Sequence, residues 1–277
     1  MFPYPISFLA SAGGGDLLLD NYGDDVVAAW SVRQLSSTYT GYCMTIRVMD
    51  PGGDIPYDIG FVDGELDTAD ILTKAGSYET RVVTWYDQSG NGNDATQSTA
   101  INQYLIADSG SIFIGLGSKP ALDALNQGHY YDIALHETLA QPCTHFIVTE
   151  PRQKLNRASF GYTAEQEAMG HWNTYYLNAP TALSNTTRTA SGWIGLGTSL
   201  FDGASSEFWV NGISAIAGDA GANDSDDIRI GYGGMEPSSL AYQQEYIIFN
   251  ADKTSDQVAI ETDMADYYSI TYPGAGP

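Results

Sequence analysis

Apolar and polar residues alternate with a period of two along most of this chain, the spacing of strands that bury one face. The segment 43–49 (CMTIRVM) alternates cleanly, and 54–61 places Ile55, Tyr57, Ile59 and Phe61 on alternate positions. The run 80–86 (TRVVTWY) is rich in β-branched and aromatic residues and predicts another strand. Shorter strands are expected at 104–106, 112–114, 130–133, 144–149, 159–162, 173–177, 193–196, 206–210, 227–230 and 244–249, separated by Gly, Asn, Asp and Pro clusters. The run 26–35 (VVAAWSVRQL) fits a short helix or a strand. Asn211-Gly212 between Val210 and Ile213 predicts a tight hairpin. Two short helices are expected: one from about 67 to 74, opened by Asp67 and closed by Gly76, and one over 255–268, with Ser255 as N-cap and Ile260, Met264 and Tyr267 or Tyr268 on one face. Many short strands and few helices predict an all-β sandwich of two antiparallel sheets.

Residues 1–15 stand apart. Pro3 and Pro5 oppose a regular helix, and Gly13-Gly14-Gly15 makes a flexible joint. Phe2, Tyr4, Ile6, Phe8 and Leu9 are too apolar for a free tail, so this arm either folds onto its own domain or anchors in another subunit. From residue 16 to 277 the texture is uniform and reads as one domain.

Charge narrows the partners. Eleven basic residues against 34 acidic ones give a net charge of −23, which opposes binding to phosphate backbones and anionic membrane surfaces. No run of 18 apolar residues occurs, and Met1–Ala12 lacks the basic start of a secretory signal. Cys43 and Cys143 are too few for a disulfide framework, although a single bridge between them stays open.

The segment 85–97, Trp-Tyr-Asp-Gln-Ser-Gly-Asn-Gly-Asn-Asp-Ala-Thr-Gln, is the most distinctive in the chain. With 102–105 (NQYL), 117–122 (GSKPAL) and the ending 245–249 (EYIIF), it resembles concanavalin A-like lectin and glucanase jelly rolls (LamG-like), including the catalytic domain of B-type α-L-arabinofuranosidases. The stretch from Ala29 to Asp67 resembles proteins of tailed-phage virions. The resemblance implies two stacked sheets with a glycan-binding concave face. It also implies a virion-associated structural or adhesion protein, present as a homo-oligomer or in many copies, that meets other virion proteins through the arm and a host-surface glycan through the sandwich. A glycoside hydrolase or a secreted carbohydrate-binding module is the alternative.

Candidate sites follow from residue chemistry. Trp172, Tyr175, Tyr176, Trp193 and Trp209 offer rings on which sugar C–H faces stack, or they belong to the sheet faces and core. The loop from Asp87 to Asp94 spaces oxygens at positions 1, 3, 5 and 7, with glycine at position 6, as a calcium loop begins. Ser98 replaces the bidentate Glu of such loops, so Asp87, Asn91, Asn93 and Asp94 define either a looser calcium site or a turn rigidified by its own side chains. A glycosidase requires two carboxylates about 5–9.5 Å apart. In the arabinofuranosidases the nucleophile is a Glu on a strand that here, at 171–177, carries no carboxylate. That departure leaves Glu165 or Glu167 with Asp202 or Glu207 as the best acidic set and favours a binding role. The four histidines show no zinc spacing, and no nucleotide-binding loop occurs.

Overall fold

The computed structural model describes residues 17–124, 129–151, 158–162, 167–171, 174–178, 181, 183–185, 195–231 and 241–273; for 151–178 and 183–185 it describes backbone only. The arm at 1–15 lies outside the described residues.

Among the described residues, three α-helices and 21 strands follow one another. Helix α1 (Leu18–Tyr22) leads into β1 (Val26–Ser31), β2 (Met44–Val48), β3 (Ile55–Ile59), β4 (Phe61–Val62) and β5 (Glu65–Leu66). After α2 (Thr68–Ala75) come β6 (Thr80–Trp85), β7 (Ala95–Thr96), β8 (Leu105–Asp108), β9 (Ser111–Ile112) and β10 (Leu122–Asp123). The second half holds β11 (Tyr130–Leu139), β12 (Cys143–Pro151), β13 (Ala158–Tyr162), β14 (Glu167–His171), β15 (Thr174–Asn178) and β16 (Leu183–Asn185). It ends with β17 (Gly195–Phe201), β18 (Ser206–Val210), β19 (Ile213–Gly218), β20 (Ser225–Gly231), β21 (Ala241–Phe249) and α3 (Gln257–Tyr267).

One large antiparallel sheet runs β19-β18-β17-β12-β21-β10-β8-β6-β2-β3. Strand β21 is its spine: β12 pairs along one side, while β1 and β10 share the other. The remaining strands pair as β11-β20 and β13-β14-β15-β16, with β13 packed beside β20. Trp30, Trp85, Tyr104, Tyr131, Phe146, Tyr246 and Phe249 fill the core. The fold is a β-sandwich jelly roll.

The ambiguous run at 26–35 starts as strand β1, because Val27 to Ser31 are buried on both faces, as a strand covered on two sides must be. Helix α2 opens as its sequence predicts, with the Asp67 carboxylate accepting from the Asp70 amide. The α3 cap differs from expectation: the N-cap is Asp256, not Ser255, and it makes no side-chain capping bond. Ile260, Met264 and Tyr268 are buried as expected. Asn211 (φ 49°) and Gly212 (φ 77°) both take left-handed backbone, which a type I′ hairpin between β18 and β19 requires. Cys43 and Cys143 are both buried and are not joined in a disulfide. Among the described residues, no helix is long and apolar enough to cross a membrane.

Candidate functional site

The 85–97 segment works as a clasp on β1. Asp87 Oδ1 accepts from the Ala29 and Ser89 amides at 2.8 and 2.9 Å. Its Oδ2 accepts from the Ser89 hydroxyl and the Asn93 amide at 2.7 and 3.0 Å. Gln88 donates to the Ser31 and Arg33 carbonyls and accepts from the Leu35 amide. Asn91 and Asn93 turn their amide N–H groups onto the Val26 and Val27 carbonyls. Asp94 accepts from the Asp87 amide, and burial lifts its carboxyl above the usual range. Four donors surround the Asp87 carboxylate, the wrong polarity for a cation. Among the described residues, no three His, Cys, Asp or Glu side chains converge as metal ligands.

A different group of side chains lies where β8, β10, β12 and β21 meet the start of β11. Register places Thr149 opposite Gln243, and Gln243 opposite Leu122. Directly paired residues project to the same side of an antiparallel sheet. Tyr104, just before β8, stacks on Tyr131 at 5.3 Å and meets His129 edge-on at 6.0 Å. Tyr104 and Thr149 are wholly hidden from solvent, and Gln243 and His129 nearly so. The Thr149 hydroxyl has no hydrogen-bond partner, while the Tyr104 hydroxyl and the Gln243 amide face each other and the His129 ring faces the Asp123 backbone, all outside good hydrogen-bond geometry. Each such buried group costs about 1–3 kcal/mol. Gly231 permits this packing: a Cβ there would stand 2.0 Å from the Tyr104 hydroxyl and 2.7 Å from the His129 carbonyl.

The four side chains carry no charge of their own, but the Asp123 carboxylate acts on Tyr104 and the Arg81 and Glu79 charges act on His129. Burial, helped by the Arg81 charge, pulls His129 down to about 4, so its ring is uncharged at pH 7. Burial pushes the Tyr104 phenol up, with the neighbouring Gln243 amide pulling weakly the other way. The adjoining row, Glu150–Tyr242–Asp123, is offset by one residue along the same strands and projects to the other face. Desolvation raises the Glu150 carboxyl.

The residues singled out from sequence do not form this nest. Trp209 lies on β18 opposite Thr198 and Ser214, with three strands between it and β10. Glu207 pairs with Leu200, which pairs with Thr144, five residues down β12 from Thr149, or about 17 Å at strand rise. Asp202 precedes the 3-10 turn Gly203–Ser205 in the same region. Glu167 opens strand β14 instead of lying in a loop, because its backbone pairs with Tyr162 and Asn178. Tyr175 and Tyr176 are on β15, with backbone alone described. Glu165, Trp172 and Trp193 lie outside the described residues, as do the arm residues Phe2, Tyr4, Ile6, Phe8 and Leu9. Sequence reading passed over Tyr104, Thr149 and Gln243 because each sits in an apolar strand run. A polar side chain inside such a run was the available signal.

This architecture recurs in known jelly rolls. No protein-family model and no curated protein matches the sequence. Solved structures do match. An arabinofuranosidase complexed with arabinofuranosyl-α-1,2-xylobiose superposes with TM-score 0.67 at 14% identity, over 90% of this chain and 64% of that one. A GH54 α-L-arabinofuranosidase soaked with a cyclic sulfate inhibitor gives the same figures. A mutant GH54 enzyme soaked with 4-nitrophenyl α-L-arabinofuranoside gives TM-score 0.64 at 14% identity, again over 90% of this chain and 64% of that one. The chain thus spans 64% of the length of these enzymes, and at 14% identity the likeness is one of fold.

Proposed function

We propose that this domain is a glycan-binding β-sandwich whose recognition site is the nest of Tyr104, His129, Thr149 and Gln243. The observation carrying this reading is the gathering of poorly paired hydroxyl, amide and imidazole groups in one buried place. A core gains nothing from such groups, whereas a sugar offers hydroxyls that donate and accept in turn. The fold supports it: one similar structure is complexed with an arabinofuranosyl xylobiose. Binding is favoured over hydrolysis because the segment 171–177 carries no carboxylate. The proposed setting remains a particle surface, with the 1–15 arm as attachment, or a secreted binding module.

The test pairs affinity with stability. Screening against a glycan array, followed by calorimetry on the hits, should find saccharides whose affinity Gln243→Leu lowers at least about tenfold. The same substitution should leave Tm within about 2–4 °C of the parent, since the poorly paired amide and its contact with Tyr104 are lost together and offset each other. A Gln243→Leu protein that keeps its glycan affinity, or an array without hits, refutes the assignment. Release of free sugar from a hit would replace binding with hydrolysis.

A further inference from the structure

The outer face of the large sheet, where β3, β2, β6 and β7 lie side by side, carries a row of polar side chains. Thr45 is paired with Asp58 on one side and Thr84 on the other, and Thr84 with Thr96, so all four project together. Met44 and Ile46, the neighbours of Thr45 on β2, are buried on the opposite face. The Thr45 hydroxyl donates to Asp58 Oδ1 at 2.6 Å, so the Tyr86 hydroxyl, 2.8 Å away, donates to Thr45. The Thr84 and Thr96 hydroxyls meet at 3.1 Å. Asp58 is exposed, and its second oxygen takes no part in these bonds.

Aromatic rings border this row. The Tyr86 and Tyr42 ring centres are 6.5 Å apart, and Tyr42 is 52% exposed. Tyr39 then joins the shelf to a cleft. Its hydroxyl donates to the Tyr42 carbonyl at 2.8 Å, and its side chain helps line a cleft of about 410 Å³ between α1 and the clasp loop. That volume falls within the roughly 300–1,000 Å³ of small-ligand sites. The rest of the lining is largely polar, with Asp20, Asn21 and Asp24 from α1 and the turn after it, and Thr38 and Ser89.

This chemistry suits a sugar. A ring accepts the C–H face of a pyranose, while carboxylates and hydroxyls take its O–H groups. The centre of a protein interface would be more apolar than a row of threonines. Arg47 and Arg81, next along the same face, are already paired with Asp54 at 3.3 Å and Glu79 at 2.6 Å. The carboxylates of Asp20, Asp24 and Asp58, within a chain of net charge −23, repel an anionic ligand.

We infer that the cleft and the Tyr42–Tyr86 shelf form a second saccharide site, open to solvent, that binds an uncharged linear oligosaccharide. One sugar sits in the cleft and those after it lie along the shelf. The site shares no residue with the nest, so the two assignments stand or fall separately.

Titrating the full chain at pH 7 with xylo-, cello- and malto-oligosaccharides, each from mono- to hexasaccharide, tests this by calorimetry, with NMR for the shortest members. In the series that binds, affinity should rise with chain length. Tyr42→Ala should abolish that rise, lowering hexasaccharide affinity at least about tenfold while sparing the monosaccharide. Asn21→Ala with Asp24→Ala should weaken every member. These side chains are exposed, and Tyr42→Ala keeps the carbonyl that Tyr39 uses, so Tm should stay within about 2 °C of the parent. The length-dependent binding should also persist in Gln243→Leu. Binding that Gln243→Leu abolishes and Tyr42→Ala spares overturns this site and leaves the nest. Affinity that ignores chain length, or no binding in any of the three series, overturns it too, while the nest is judged by the glycan array and Gln243→Leu alone.

Discussion

Asp87 shows how one residue can carry a fold signature. Its two oxygens accept four hydrogen bonds, from Ala29, from Asn93 and twice from Ser89, so the loop and β1 are set by one buried carboxylate. Asp87→Ala leaves those donors unsatisfied and should cost about 3–5 kcal/mol, read as a lower denaturant midpoint. Adding calcium or a chelator should leave Tm unchanged, because N–H and O–H donors fill the space an ion would need; a rise with calcium would restore the ion reading. At this scale the sequence was half legible. The spacing of Asp, Ser, Asn and Gly announced a built loop but not whether its oxygens faced a cation or amides. The nest was less legible still. Thr149 and Gln243 are far apart in the chain, and only strand pairing makes them neighbours.

At the scale of elements, α3 is latched to the sheet by a buried ionic cluster. Arg33 makes a two-pronged bond to Glu245 at 2.8 and 3.0 Å and reaches Asp263 on α3 at 2.6 Å. Glu245 also accepts from Ser31 at 2.7 Å and from Tyr268 at 3.0 Å, while the guanidinium lies 4.6 Å from the Tyr267 ring centre. Burying such a pair brings little net stability, but breaking it strands a charge. Glu245→Ala should therefore destabilise by about 3–5 kcal/mol, whereas Arg33→Met with Glu245→Leu should cost markedly less. Equal losses for the single and the double variant in urea titrations would mean that the cluster is not the latch. Element types were readable from periodicity: the 206–210 strand and the Asn-Gly hairpin stand as predicted. Helix α2 is displaced by one residue from the expected 67–74. Boundaries were harder, since the 130–133 signal extends to Leu139 and 193–196 becomes Gly195–Phe201 through pairing with distant strands. Local pattern carries no information about those partners.

For the whole molecule, acidity and burial act on stability in opposite directions as pH falls. Protonating carboxylates relieves the self-repulsion of a −23 chain, but most of that occurs near the carboxylate range, below about pH 5. Two histidines respond earlier, but only in the unfolded chain. Burial depresses His129 to about 4 and His145 to about 3, against 6.5 for a free ring. His145 is held in the core by Tyr246 at 2.9 Å, so neither ring can take a proton without disturbing its packing. Because the folded values lie below the unfolded one, the unfolded chain binds protons first. The stability present above pH 6.5 is therefore lost progressively as pH drops toward the folded values. Between pH 6.5 and 5 the carboxylates have barely begun to respond, so the denaturant midpoint should fall with the uptake of one to two protons on unfolding. His129→Gln should remove part of that slope, and His129→Gln with His145→Gln nearly all of it. A midpoint that stays level or rises across this interval would show that charge relief outweighs the buried rings, and with it that the neutral state of His129 is not what the fold selects.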